Sequence, residues 1–207
     1  MLNFFILILI YTCIYAFMSL GQNLITGYSG MLSLCAAGFF AIGSYTTAIL
    51  TTSFGWSFWA TLPVAALLSA LMGVLIGLPT LRLKGDYLAI ATLGFAEIVR
   101  NIINNWDALT NGPMGIQRIP MITIFGIKIS PYQKYGFLLM EVIMLVICWF
   151  LFERLASSRM GRALEAIRED EIAANSMGIN VTKYKVVSFA LGAAVTGIAG
   201  CLQAEFT

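Results

Sequence analysis

Ser157 to Lys185 reads S-S-R-M-G-R-A-L-E-A-I-R-E-D-E-I-A-A-N-S-M-G-I-N-V-T-K-Y-K, the one long polar island in a chain that is otherwise almost entirely hydrocarbon. With Glu153 and Arg154 in front of it, the island holds six of the twelve Lys/Arg and five of the ten Asp/Glu. Met160, Leu164, Ile167 and Ala174 fall at helical spacing, with Arg162, Glu165, Arg168 and Glu169 on other faces. Ser157 or Ser158 is placed to cap the start of this helix, and Gly178 to end it in a left-handed conformation. Asn180 offers a cap for a second helix that runs into the next apolar stretch. The pattern predicts a short amphipathic helix, a glycine break and a helix entering the membrane. Spacing alone fits either a solvated loop between two spans or a docking surface for a cytoplasmic partner.

What surrounds the island decides the fold class. Of 207 residues, 59% are hydrophobic and 11% charged, where soluble domains carry roughly 25% charged residues. No Asp, Glu, Lys or Arg occurs between Met1 and Leu81. A soluble core has no room for that much uncharged apolar chain, so the fold is all-α: a polytopic integral membrane helical bundle in a lipid bilayer. A net charge of +2 gives no case for nucleic acid. Cys13, Cys35, Cys148 and Cys201 lie singly in apolar runs, which fits small core residues rather than a disulfide frame or metal site. Histidine, the commonest metal ligand and general base, is absent.

Taken in order, the apolar runs give about six spans. The first covers Met1 to about Leu20, with breaks expected at Gly21-Gln22-Asn23 and Thr26 to Gly30. The second, about Leu32 to Thr52, is rich in Ala36, Ala37, Gly38, Ala41, Gly43 and Ser44. The third runs from about Trp56 to Leu81, its small residues Ala65, Ser69, Gly73 and Gly77 four apart. Such seams let helices approach closely. Trp56 and Trp59 anchor its outer end, and Arg82, Lys84 and Asp86 make a charged turn beyond Pro79. Tyr87 to about Asn105, Gly136 to Phe152 and a helix from near Tyr184 complete the set. That last helix repeats the small-residue spacing at Ala193, Gly197 and Cys201. The chain thus forms one transmembrane domain. Residues 106–134 are its extracytoplasmic segment, carrying a small hairpin that turns at Phe125-Gly126, and residues 154–185 its cytoplasmic loop. With the island inside, the inner loops hold Arg82, Lys84, Arg154, Arg159, Arg162, Arg168, Lys183 and Lys185, against Arg118, Lys128 and Lys134 outside. The positive-inside bias agrees and sets the N-terminus outside.

Glu97 and Arg100 lie three apart on the fourth span, with Asn101 continuing the polar face. They read either as a polar lining of a pathway or as a structural pair near the interface. Gly27-Tyr28-Ser29-Gly30 matches a glycine–serine motif of intramembrane proteases, but no histidine exists to take the serine proton, so no catalytic residue is assigned. No G-x-x-x-x-G-K-[ST] loop occurs, so the chain does not bind ATP by that motif; no cofactor or metal is expected.

Three stretches carry a family resemblance: Thr26 to Leu50 (TGYSGMLSLCAAGFFAIGSYTTAIL), Arg82 to Ile116 (RLKGDYLAIATLGFAEIVRNIINNWDALTNGPMGI) and the island. They resemble the LivM-type permeases of branched-chain amino acid ABC importers. The resemblance implies a non-enzymatic membrane subunit of the bacterial inner membrane. Its partners would be a homologous second permease subunit, two cytoplasmic ATP-binding subunits and an extracytoplasmic substrate-binding protein. It makes the island a coupling loop with Ala173-Ala174-x-x-x-Gly178 at its core. Arg159, Gly161, Arg162, Glu165, Arg168, Glu169, Ala173, Ala174 and Gly178 would be the residues coupled to the ATPase. The pathway wall would draw on Gly27, Tyr28, Ser29, Gly30, Ser33, Gly38 and Gly43, with Glu97, Arg100 and Asn101. The implied cargo is leucine, isoleucine or valine, with urea, amides or other amino acids as alternatives. An ion-coupled carrier or channel using Glu97 and Arg100 is the competing class. That family commonly has a histidine between Ser33 and Phe39, where this chain has Ala36, so no role of that histidine carries over. Its members usually continue through further helices, so the sequence is expected to be C-terminally incomplete.

Overall fold

A computed structural model describes residues 2–80, 83, 85–116, 119, 123–124, 127–128 and 134–206. Among these, six helices of 19 to 26 residues form the bundle: α1 (Leu2–Asn23), α2 (Ala36–Phe54), α3 (Phe58–Thr80), α4 (Asp86–Asn105), α6 (Lys134–Ala156) and α9 (Val181–Phe206). Four, the segments Phe4–Tyr28, Phe58–Thr80, Tyr135–Ala156 and Val181–Phe206, are long and apolar enough to cross a membrane on those grounds alone. Helices α2 and α4 have the length but carry more small and polar side chains. A short α5 (Asp107–Thr110) follows α4. Strands β1 (Thr123–Ile124) and β2 (Ile127–Lys128) pair antiparallel, Ile124 opposite Ile127, as the alternation predicts. The turn residues Phe125 and Gly126, like Leu81, Arg82, Lys84 and Arg118, lie outside the described residues.

Helix α9 is the central post, packed against α1, α2 and α3. Its small residues make this possible. A Cβ on Gly197 would run into the Ser69 side chain, one on Gly200 into the Phe40 carbonyl, and one on Gly43 into the Gly197 backbone. Gly73 lies so near α9 that an added Cβ would sit 2.8 Å from the Ala193 methyl. Between helices in lipid the gain comes from packing rather than from expelling water, so close backbone approach is the main contribution. Ala65, Ser69, Gly73 and Gly77 are all buried, which establishes the predicted seam as a packing surface.

Three boundaries differ from expectation. The first helix does not break at Gly21-Gln22-Asn23. Gly21 is pressed against Gly192 and Thr196 of α9, and the chain continues through a π-turn, Leu24–Tyr28, before leaving the helix at Ser29-Gly30. A buried apolar neighbour offers no replacement for intrahelical hydrogen bonds, so the helix persists past its polar residues. Helix α2 begins at Ala36 rather than Leu32, because Met31 to Cys35 is non-helical. Along that segment Met31, Ser33 and Cys35 are buried while Leu32 and Leu34 are exposed. Finally, the island does not run as one helix to Ala174: it is α7 (Arg159–Glu169) and α8 (Glu171–Ser176), parted at Asp170.

Candidate functional site

The island is built by local capping. The Ser158 hydroxyl accepts from the backbone N–H of Met160 and Gly161, closing the start of α7. Asp170 takes an extended backbone (φ −153°) and its carboxylate accepts from Ile172 and Ala173 N–H, at 2.8 and 3.0 Å. Those two donors hold the Asp170 carboxyl below its ordinary range. Gly178, at φ +83°, ends α8, donating to the Asn175 carbonyl while Ile179 N–H reaches Ala174. Asn180 then caps α9 through Lys183 N–H. One face of this hairpin is apolar: Leu164, Ile167 and Ala174 are buried, the latter two in a small cluster with Val181. An ion pair of 2.8 Å from Lys185 to Glu171 ties α8 to α9.

The predicted coupling residues divide by where they point. Arg159, Glu165, Glu169 and Ala173 are exposed; Arg162 is also exposed, its guanidinium donating to the Ser157 carbonyl. Gly161 and Ala174 are buried; a Cβ on Gly161 would collide with the Ala156 carbonyl. Arg168 turns back to the bundle and donates to the Gly27 carbonyl at 2.8 Å. Sequence reasoning passed over Ile172 and Met177, which stand out from α8 at 74% and 84% exposure. A large apolar residue in a polar stretch is itself the signal.

A cleft of about 980 Å³ opens between α1, the non-helical segment before α2 and α6. Ser19, Gln22, Asn23, Thr26 and Ser33 supply its polar lining, with Gly27 at one edge and Tyr15, Leu145 and Trp149 among the apolar residues. None of these side chains is charged. The Gln22 amide nitrogen donates to Thr26 Oγ1 and to the Ser33 carbonyl, which pins the segment before α2 to α1. Of the ten residues predicted for a pathway, Gly27 and Ser33 line this cleft. Ser29 is buried beside it, Gly30 adopts φ +68°, and the Tyr28 ring packs edge-on against Phe152. Gly38 and Gly43 instead serve packing, against Ala96 and Gly197 respectively. Glu97 and Arg100 pair at 3.5 Å on an exposed face, and Asn101 donates to the Glu97 carbonyl, all outside the cleft.

One intramembrane acid went unnoticed in the sequence. Glu141 of α6 is fully buried, and its carboxyl oxygens have no hydrogen-bond partner among the described residues. A lone carboxyl within an otherwise apolar span is a visible signal, because such groups are costly there.

Comparison with known proteins reads in the same direction. The family described as "Branched-chain amino acid transport system / permease component" matches residues 4–207. The chain belongs to this family. The permease is 44% identical to the high-affinity branched-chain amino acid transport system permease protein LivM of Salmonella typhimurium, over 93% of this chain and 50% of that one. It is 42% identical to the Escherichia coli K12 protein of the same name, with the same coverage. A probable branched-chain amino acid transport permease protein LivH of Methanocaldococcus jannaschii is 26% identical, over 94% of this chain and 63% of that one. The permease thus spans about half the length of the LivM relatives it matches. No solved structure matches it. It is a multi-pass membrane protein of all-α architecture.

Proposed function

We propose that this chain acts as a membrane subunit of an ATP-driven importer for leucine, isoleucine, valine or a related small neutral or zwitterionic solute. A homologous second permease subunit would complete the pathway, since the matched relatives include both LivM and LivH proteins. Two ATP-binding subunits would seat on the α7–α8 hairpin, and residues 106–134 would face an extracytoplasmic binding protein. The N-terminus would then lie outside the cell and residues 154–185 inside. ATP binding and hydrolysis would move α7 and α8 and rock the spans between outward- and inward-open states.

The observation that carries this reading is the hairpin itself. It is capped at each helix end, anchored by the Lys185–Glu171 pair, and still projects Ile172 and Met177 into open space beside Ala173. An ordinary loop has no reason to be this ordered while exposing large apolar side chains. The uncharged lining of the cleft supports a neutral or zwitterionic cargo. The position of Glu97 and Arg100 outside the cleft counts against a carrier that couples through that pair.

Co-purification with the ATP-binding subunits tests the reading, comparing wild type with Gly178→Pro and Glu165→Lys. Proline cannot adopt φ +83° and lacks the N–H that bonds Asn175. Loss of ATPase recovery with the permease still in the membrane is expected. Equal recovery in both variants, or none with wild type, would return the hairpin to the status of a passive loop.

A further inference from the structure

The inner end of the first helix has a chemical deficit that the rest of its own sequence does not meet. A helix ends with unpaired carbonyls and the negative pole of its dipole, and a cation near the last turn is the usual complement. Residues 1–81 contain no charge at all, and the last turns of α1 and of its π-turn have no basic residue. Three side chains meet the carbonyls, one local and two from other helices. Ser29 Oγ donates to Ile25 O at 2.5 Å, Ser188 Oγ of α9 donates to Leu24 O at 2.9 Å, and Arg168 of α7 donates to Gly27 O at 2.8 Å. Only the last brings a charge.

The Arg168 stem is held as well as its head. It crosses the backbone at Gly30, where an added Cβ would come within 2.7 Å of Arg168 Cγ. Glu169 is an ionic neighbour of the guanidinium, looser at 3.7 Å. Gly27 is meanwhile part of the cleft wall. A single residue, Gly27, therefore belongs both to the wall of the cleft and to the grip of the polar hairpin. The π-turn that carries it is a geometry less regular than an α-helix and often found at functional positions.

We propose that Arg168 is a positioning residue that transmits displacement of α7 to the inner end of the first helix, and thereby sets the shape of the cleft beside Gln22 to Gly27. Its role in transport rests on the importer reading; its role in holding the cleft does not. Movement of α7 away from the bundle stretches a charge-assisted hydrogen bond and withdraws the Arg168 cation from the helix end. The π-turn then has to re-pair its carbonyls, which shifts the residues lining the cleft.

Two readouts keep the parts separable. In native membranes, the full-length permease lacking its four native cysteines and carrying Asn23→Cys would be labelled with a small hydrophilic maleimide. Arg168→Ala should change the labelling rate by about tenfold, the factor for losing one charge-assisted hydrogen bond. Arg168→Lys, which keeps a cation, should recover most of the wild-type rate. Lys183→Ala, which removes an exposed cation of the same loop, should leave it unchanged. In proteoliposomes holding the full complex, solute taken up per ATP hydrolysed should fall about tenfold in Arg168→Ala and recover in Arg168→Lys, by the same factor. Labelling rates within about twofold across all variants would overturn the proposal, since one lost strong hydrogen bond predicts more. So would an uptake-to-hydrolysis ratio that Arg168→Ala leaves intact. Absence of uptake with wild type would break the importer reading instead, and the labelling rates would still decide whether Arg168 holds the cleft.

Discussion

The α3–α9 seam and the junction between α7 and the end of the first helix both bring together residues far apart in the chain, and they are built in opposite ways. The seam is dry and made of absences: Ser69, Gly73, Ala193 and Gly197 are small enough that backbones nearly touch. Many weak contacts share its stabilisation, so it has one arrangement and no partial loosening. The junction is polar, and three side-chain hydrogen bonds carry it, one local and two from α7 and α9. Each of those breaks and re-forms without unpacking the others. The proposed importer would need both: a rigid post about which helices are arranged, and a contact that switches.

The sharpest way to break that comparison is to fill the dry packing on the other side of the same post, where α2 meets Gly197 of the seam. Gly43→Val should abolish the folded bundle, because the added Cβ would enter the Gly197 backbone and neither element can yield. The cost should exceed the ~1–3 kcal/mol of ordinary overpacking, where side chains rather than backbones give way. Gly94→Val on α4, where nothing lies within 4 Å, should be tolerated. The fraction of monodisperse protein extracted in mild detergent reads both. Comparable yields for the two variants would show that this packing is softer than its geometry.

A smaller effect is expected where the hairpin meets α9. Lys185 is 12% exposed and Glu171 36%, so their pair is partly shielded from water. Lys185→Met should cost about 1–2 kcal/mol, short of the ~3–5 kcal/mol of breaking a fully buried pair because Glu171 keeps some solvent. Adding Glu171→Leu should restore most of the loss by removing the stranded carboxylate. Thermal unfolding of the purified permease, followed for wild type, single and double variants, measures the recovery. A double variant no better than Lys185→Met would mean that the pair is incidental.

The two kinds of contact differ just as much in what the residues reveal. Four-residue spacing at Ala65, Ser69, Gly73 and Gly77, repeated at Ala193, Gly197 and Cys201, announces a packing seam without any structure. A long uncharged run announces a span. The exit from the first helix was legible only in part: the chain leaves at Ser29-Gly30, within the expected Thr26 to Gly30 break, but not at the earlier one. Gly21-Gln22-Asn23 looks like a break, yet α9 covers it, and the polar Gln22 finds partners at Thr26 and Ser33. Tertiary cover overrides local propensity there. Arg168 reads as one more outward charge on an amphipathic helix, because the group it serves lies 141 residues away. Glu141 and Asp170 were legible and missed: one is an acid in an apolar run, the other a capping residue placed just ahead of a short helix.

Asp170 gives the smallest and most selective test. Its carboxylate accepts from two backbone N–H groups, so its pKa lies below the ordinary aspartate value in the folded hairpin. A lowered folded pKa means that the charged form favours the folded state. The contribution is therefore fully present above the unfolded pKa and is lost as pH falls through the folded one. Between neutral pH and the ordinary aspartate range the α7–α8 corner should stay protected from amide exchange, and below that range Ile172 and Ala173 should exchange faster first. Asp170→Asn keeps a side-chain oxygen for the cap but carries no charge, so it should hold the corner with a flatter acid response. Asp170→Ala should speed exchange at Ile172 and Ala173 at every pH. If Asp170→Asn follows the wild-type acid profile, some other group governs the corner, and the division between a fixed seam and a polar, switchable hairpin would have to be drawn elsewhere.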